Sequence, residues 1–250
     1  PVPEAQYLLT EASAILENLS RVRRTMRSLG DGQVGSLNVA AMPGPVSMLF
    51  PRFIARHIQS LTGIRTSMLA RSSVQITELA RAQSIDFGFA DAPDDPDGGG
   101  LYRSDVIAAD CFVALPKEHR LAVRDVISIT DLDGEPMGSR QSSHLQSARI
   151  RPDFESKSSS FNVTVESQTF LPILQFVLLG QCCAILDPLT VVHIKDSEGL
   201  RDALCIKPLD QPVRYEYAVI SPVYRPVSVV AAAARDAWKE EVGRHMLGVD

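Results

Sequence analysis

Between Ser36 and Ala90 the chain alternates short apolar strands with amphipathic helical stretches, and this alternation limits the fold more than any other feature. Ser36-Leu37-Asn38-Val39-Ala40-Ala41 reads as a strand, Pro43-Gly44-Pro45 as a turn and Met48 to Ser60 as a helix. Arg65 to Ala70 is a second strand. Ser72-Ser73 caps a helix over Val74 to Ala82, and Ile85 to Ala90 is a third strand. Strands joined through helices are parallel neighbours, so this order predicts a parallel α/β sheet.

The pattern returns after Pro136. Pro136-Met137-Gly138 ends a short strand, and Ser139 to Arg149 reads as a polar loop leading into a helix. Phe161 to Val165 is a strand and Thr169 to Leu179 a helix, with Pro172 in its first turn, where proline is tolerated. Cys182 to Leu186 is a buried strand, and Asp187-Pro188 opens a short helix through Ile194. Strands at Leu101 to Ala109 and Cys111 to Leu115 lie between the two units. Strands at Ala203 to Pro208 and Arg214 to Ser221 follow the second, and Arg225 to His245 closes the chain as a helix. The expected architecture is two Rossmann-like α/β lobes joined by two crossover strands, near 109–110 and 209–212. Residues 35–109 with 212–250 make lobe I, and 110–211 make lobe II.

The segment before the first strand has its own signature. Leu8, Ala12, Ile15, Leu19, Val22, Met26 and Leu29 recur at alternating spacings of a heptad seam. Glu4, Glu11 and Glu17 lie early, while Arg21, Arg23, Arg24 and Arg27 lie late, which complements a helix dipole. Gly30-Asp31-Gly32 stops the helix. We expect a linker helix over 4–30 that dimerises. Gly30 to Gly35 matches G-x-G-x-x-G by letters, but it follows a helix and precedes a strand, the reverse of a dinucleotide fingerprint.

Composition narrows the function. Of 250 residues, 45% are hydrophobic and 22% charged, enough apolar material for a large core. The net charge of -5 argues against nucleic-acid binding by this stretch itself. No window approaches the roughly 20 apolar residues of a membrane span, so no membrane partner is expected. Pro1-Val2-Pro3-Glu4 lacks the basic and apolar regions of a signal peptide. Cys111, Cys182, Cys183 and Cys205 sit among apolar neighbours with no C-x-x-C spacing, which suits a reduced core and a cytoplasmic location. His57, His119, His144, His193 and His245 show no ligand spacing, and Asp91 to Gly100 lacks the calcium-loop pattern. No cofactor and no metal are expected. No nucleophile elbow, phosphate loop or metalloprotease motif is present; catalytic groups can meet in three dimensions without one, but the expectation is a binding domain and not an enzyme.

Ligands of α/β sheets bind beyond the carboxyl ends of the strands. The residues at those ends are Met42, Pro43, Gly44, Ser72, Ser73, Asp91, Ser139, Arg140, Ser142, Ser143, Ser167, Gln168 and Asp187. Several open helices, where backbone N–H groups favour anions. Arg140 can grip a carboxylate bidentately, and Asp187 or Glu166 can face a cationic group. Together they suit a small carboxylate or zwitterion.

The order of these parts resembles a LysR-type transcriptional regulator without its winged helix-turn-helix. Gly35-Ser36-Leu37-Asn38-Val39 resembles that family's opening strand, and Leu49-Phe50-Pro51-Arg52-Phe53 its first helix. Leu79-Ala80 through Phe89 resembles its L-x-x-G-x-[LI]-D element, with Ala82 where glycine is frequent. Phe112 to Pro116 with His119-Arg120-Leu121-Ala122 resembles the hP-x-x-HPLA stretch, with Arg120 replacing proline; Ile129 to Leu132 follows it as in the family. Gly180 to Pro188 resembles G-x-G-[IV]-[AG]-[LI]-[LV]-P, with Cys182 for glycine and Asp187 as if inserted. The resemblance runs from about Glu4 to about Met246. It implies a type 2 periplasmic-binding-protein-like fold and a cytoplasmic homodimer or homotetramer. It also implies a small-molecule effector between the lobes, and DNA binding only through an N-terminal domain absent from this chain. Ala41-Met42-Pro43 and the Arg140 loop look like regulators of opine or amino-acid catabolism. A transport-type solute-binding protein of the same fold is the second reading, and a small α/β enzyme the third.

Overall fold

The computed structural model describes residues 36–44, 47–59, 63–141 and 145–247, together with Ala12 and Leu16, which are helical. The rest of the predicted linker helix over 4–30 lies outside the described residues, as do Ser142 and Ser143.

The first sheet is built from β1 (Ser36–Ala41), β2 (Arg65–Ala70), β3 (Phe87–Asp91), β4 (Tyr102–Asp110) and β10 (Arg214–Pro222). The second holds β5 (Phe112–Pro116), β6 (Pro136–Arg140), β7 (Asn162–Ser167), β8 (Cys183–Leu186) and β9 (Leu204–Pro208). Their orders are β2-β1-β3-β10-β4 and β7-β6-β8-β5-β9. These two orders are one plan used twice. Each sheet has three parallel strands in the order second-first-third, then one antiparallel strand arriving from the other lobe. The sheets are therefore mixed and not purely parallel. The chain enters each sheet's fourth position directly from a strand of the other lobe, with no crossover helix to reverse it.

The two crossings lie side by side. The backbone N–H of Cys111 donates to the carbonyl of Val213 at 2.8 Å. Arg214 stands opposite Asp110 in the ladder and forms a 3.1 Å ion pair with it. This is the two-lobed, twice-crossed arrangement of a type 2 periplasmic-binding-protein-like fold.

Helices α1 (Phe50–Ile58), α2 (Ser73–Arg81) and α7 (Val229–Leu247) cover the first sheet. Helices α3 (Leu145–Ser156), α4 (Phe170–Leu178), α5 (Pro188–Asp196) and α6 (Glu198–Ala203) belong to the second half of the chain. Lobe I is centred on an aromatic cluster: Trp238 lies 4.8 Å from Phe50, 5.0 Å from Phe53 and 5.3 Å from Phe89, ring to ring. In lobe II, Val113, Ala114 and Leu115 of β5 pack with Ile173 and Val177 of α4 in one buried cluster. Gly88 lets α2 lie close against β3, since a Cβ there would stand 2.3 Å from the side chain of Ile76.

Ser72 begins α2 with a reciprocal cap. Its hydroxyl accepts from the Gln75 N–H at 3.3 Å, and the Gln75 side chain accepts from the Ser72 N–H at 3.1 Å. Ser72→Ala is expected to cost about 1 kcal/mol. That corresponds to a fall of roughly 2–4 °C in the thermal midpoint of a chain this size, readable by circular dichroism.

Candidate functional site

The carboxyl ends of the parallel strands in both sheets converge on one space between the lobes. β1, β2 and β3 deliver Met42, Arg71 and Asp91, and β6 and β7 deliver Arg140 and Gln168. The space is a cavity of about 900 Å³. Its lobe I wall holds Met42, Pro43, Arg71, Ser72, Ser73, Asp91 and Asp94, and its lobe II wall Arg140, Gln141 and Gln168. Such a volume suits a small organic ligand. Residues of the first turn of α2 also line it, so the positive end of that helix faces the space.

Arg140 spans the gap. One guanidinium nitrogen donates to the Tyr215 hydroxyl at 2.8 Å and lies 3.7 Å from the Asp91 carboxylate. Tyr215 in turn donates to Asp91 at 2.5 Å. The other Asp91 oxygen accepts from the Ser73 hydroxyl at 2.7 Å, and the Asp91 N–H donates back to the same hydroxyl at 3.1 Å. Arg140 is the last residue of β6, whereas Asp91 and Tyr215 belong to lobe I strands. An internal carboxylate from one lobe thus sits on the guanidinium of the other. The Arg140 side chain is 12% exposed, and its guanidinium also lies 6.0 Å from the Phe170 ring.

Below this group is a second buried set. Asp187 caps α5, accepting from the N–H groups of Leu189 at 3.1 Å and Thr190 at 3.2 Å. It also accepts from the Thr190 hydroxyl and from the Tyr217 hydroxyl. Burial first, and then the adjacent carboxylates, hold the Tyr215 and Tyr217 hydroxyls well above the usual phenol range. The shift favours the protonated hydroxyls, which donate to Asp91 and Asp187. Because Tyr217 belongs to lobe I and Asp187 to lobe II, these bonds also cross between lobes.

The sequence-predicted residues divide into groups. Met42, Pro43, Ser72, Ser73, Asp91, Arg140 and Gln168 line the large cavity. Gly44 and Asp187 line a recess of about 20 Å³ that shares Met42, Pro43 and Arg140. Gly44 adopts φ 110°, a turn conformation suited to glycine. Ser139 and Ser167 line neither space. Ser139 is buried within β6, where a polar loop was expected, because the strand continues through Arg140. Ser167 ends β7, and its hydroxyl accepts from the Thr169 N–H at 3.5 Å. Glu166 is exposed, and the Asp187 carboxylate is occupied by its cap and by Tyr217.

Sequence reasoning missed Tyr215 and Tyr217. The available signal was Arg214-Tyr215-Glu216-Tyr217, in which two tyrosines two apart on a strand share one face. It also missed Arg71 and Asp94, whose positions just after β2 and β3 follow the same strand-end rule that found their neighbours. The cavity therefore carries both signs of charge: Arg71 and Arg140 against Asp91 and Asp94.

The chain resembles known regulators in sequence and shape. The octopine catabolism/uptake operon regulatory protein OccR of Rhizobium meliloti is 26% identical over 203 residues, 80% of this chain and 66% of OccR. The regulatory protein NocR of Agrobacterium tumefaciens is 25% identical over 244 residues, 96% of this chain and 79% of NocR. The crystal structure of HinK, a LysR family transcriptional regulator from Pseudomonas aeruginosa, superposes with a TM-score of 0.70. That match covers 97% of this chain and 81% of HinK at 17% identity, so it speaks to fold alone. The family model described as LysR substrate binding domain matches residues 30–243, and the chain belongs to that family.

Proposed function

We propose that this effector-binding domain takes a small carboxylate or amino-acid-like ligand, of the opine class, into the cavity between its lobes. The observation that carries the reading is Arg140, which reaches from lobe II to the Asp91 carboxylate and Tyr215 hydroxyl of lobe I at the cavity wall. A guanidinium placed against a carboxylate of the protein itself is already positioned for a carboxylate from outside. A ligand acid that takes over Arg140 exchanges one interlobe bond for another. The relation between the lobes then depends on occupancy, and only such a difference can shift a conformational equilibrium. The acids Asp91 and Asp94 complement an ammonium or guanidinium on the same ligand.

OccR, a relative, is named for octopine catabolism, which supports the opine class. In the full regulator, this exchange alters a homodimer or homotetramer held through the linker helix. It thereby controls DNA contacts made by an N-terminal winged helix-turn-helix in the cytoplasm. No helix among the described residues is long and apolar enough to cross a membrane.

The test is a thermal-shift screen of amino acids, opines and dicarboxylates against their amide or ester analogues. A ligand at about 100 times its dissociation constant adds about 2.7 kcal/mol, which raises the midpoint by roughly 5–10 °C. The reading predicts that acids raise the midpoint and their amides do not. No shift with any acid, or equal shifts with amides, overturns it.

A further inference from the structure

A cluster at the other end of lobe II has no part in the cavity. Glu135 immediately precedes β6, Cys183 opens β8 and His119 follows β5. Since β6 and β8 run parallel and carry Arg140 and Asp187 at their far ends, these three residues lie away from the cleft. His119 Nε2 stands 3.6 Å from the Cys183 sulfur and 3.4 Å from a Glu135 oxygen. All three donor atoms lie within 4.8 Å of one another.

We propose that His119, Glu135 and Cys183 form a binding site for one borderline-soft divalent cation, zinc in particular. Zinc bonds run to about 2.3 Å for sulfur, about 2.0–2.1 Å for imidazole and about 2.0–2.2 Å for carboxylate. At tetrahedral angles they set nitrogen about 3.6 Å from sulfur and about 3.4 Å from oxygen. The structure already holds those two separations. The donor set combines nitrogen, oxygen and sulfur, which suits zinc and disfavours magnesium or calcium.

Arg120 orients the carboxylate. Its guanidinium donates to Oε1 of Glu135 from two nitrogens, at 2.8 Å and 2.5 Å, while Oε2 faces His119. Such outer contacts fix a ligand's orientation. Arg120 is also the position at which this chain departs from the family's His-Pro pattern. His119 and Glu135 are partly exposed, so the cluster borders solvent, and a water would complete four-coordination.

Binding has two costs. Burial, and then the Glu135 carboxylate, push the Cys183 thiol up to about 12, so its proton must leave to solvent as the metal–sulfur bond forms. A metal on Nε2 also moves the ring proton to Nδ1, which now accepts from the Leu121 N–H at 3.3 Å. That long bond is given up on binding.

The probe is cobalt(II), titrated into the reduced 250-residue chain and then displaced with zinc(II). We expect one equivalent to give a thiolate-to-cobalt charge-transfer band, with the intense visible bands of four-coordinate cobalt. Cys183→Ser should abolish the charge-transfer band, and Cys205→Ser should leave it unchanged. His119→Gln and Glu135→Gln should each weaken binding at least about tenfold. No saturable band overturns the proposal, as does a band that survives Cys183→Ser. If Cys183→Ser does not fold, Glu135→Gln decides: unchanged affinity there overturns it. Neither outcome bears on the effector cavity.

Discussion

Trp238→Ala is expected to lower stability by about 3–5 kcal/mol, the range for removing a large buried aromatic. Trp238 is fully buried on α7 and touches Phe50 and Phe53 of α1 and Phe89 of β3. Its indole ties the last helix of the chain to the first lobe, which the chain left at β4 and re-entered at β10. Alanine would leave a void that the surrounding rings cannot collapse into without giving up their contacts with Phe87 and Tyr217, so a cavity cost adds to the transfer cost. For a chain this size the midpoint should fall by roughly 6–20 °C. Trp238→Phe should keep most of the stability. The check is thermal and urea unfolding followed by circular dichroism, since Trp238 is the only tryptophan and its loss removes the fluorescence signal. A loss below about 1 kcal/mol would mean that α7 does not dock on this cluster.

Arg225→Ala is the second large effect, also about 3–5 kcal/mol, for an electrostatic reason. Arg225 Nε donates to one Asp86 oxygen at 2.8 Å, and the other oxygen accepts from the Asn38 N–H at 2.7 Å. The two side chains are 10% and 5% exposed. A further nitrogen of Arg225 donates to the Gln83 carbonyl at 3.0 Å. Removing the cation leaves a desolvated carboxylate with one backbone partner. Removing both charges does not, so the double variant Asp86→Asn with Arg225→Met should recover much of the loss. Urea melts of the single and double variants measure this directly. Additive losses in the double variant would contradict a coupled buried pair.

The fold was largely legible because each half repeats strand, helix and strand with clear punctuation. Pro43-Gly44, Ser72 and Asp187-Pro188 mark turns and caps by their own backbone preferences, and Ser72 and Asp187 do cap helices. The direction of the fourth strand in each sheet was not legible. β5 is a short apolar run buried at its centre and β10 is buried through most of its length, and nothing local in Arg214 to Ser221 or Phe112 to Pro116 states which way a neighbour runs.

The candidate site was legible only as strand ends. That rule located Asp91 and Arg140 separately, but their pairing is a property of how two lobes face each other. Ser139 and Ser167 show the rule's weakness: a shift of one residue along a strand turns a side chain from the cavity to the opposite face. The His119, Glu135 and Cys183 cluster was invisible for the same reason, since its members come from three elements at no motif spacing.

In the proposed function, Arg140 holds the effector's carboxylate between the lobes. Calorimetric titration of a carboxylate found by the screen, into the wild-type chain and into Arg140→Ala side by side, tests it most directly. Charged hydrogen bonds of this kind contribute about 1.5–3 kcal/mol, so the variant should bind roughly 10- to 100-fold more weakly. Equal affinity in the two proteins would contradict the account and would place the ligand elsewhere.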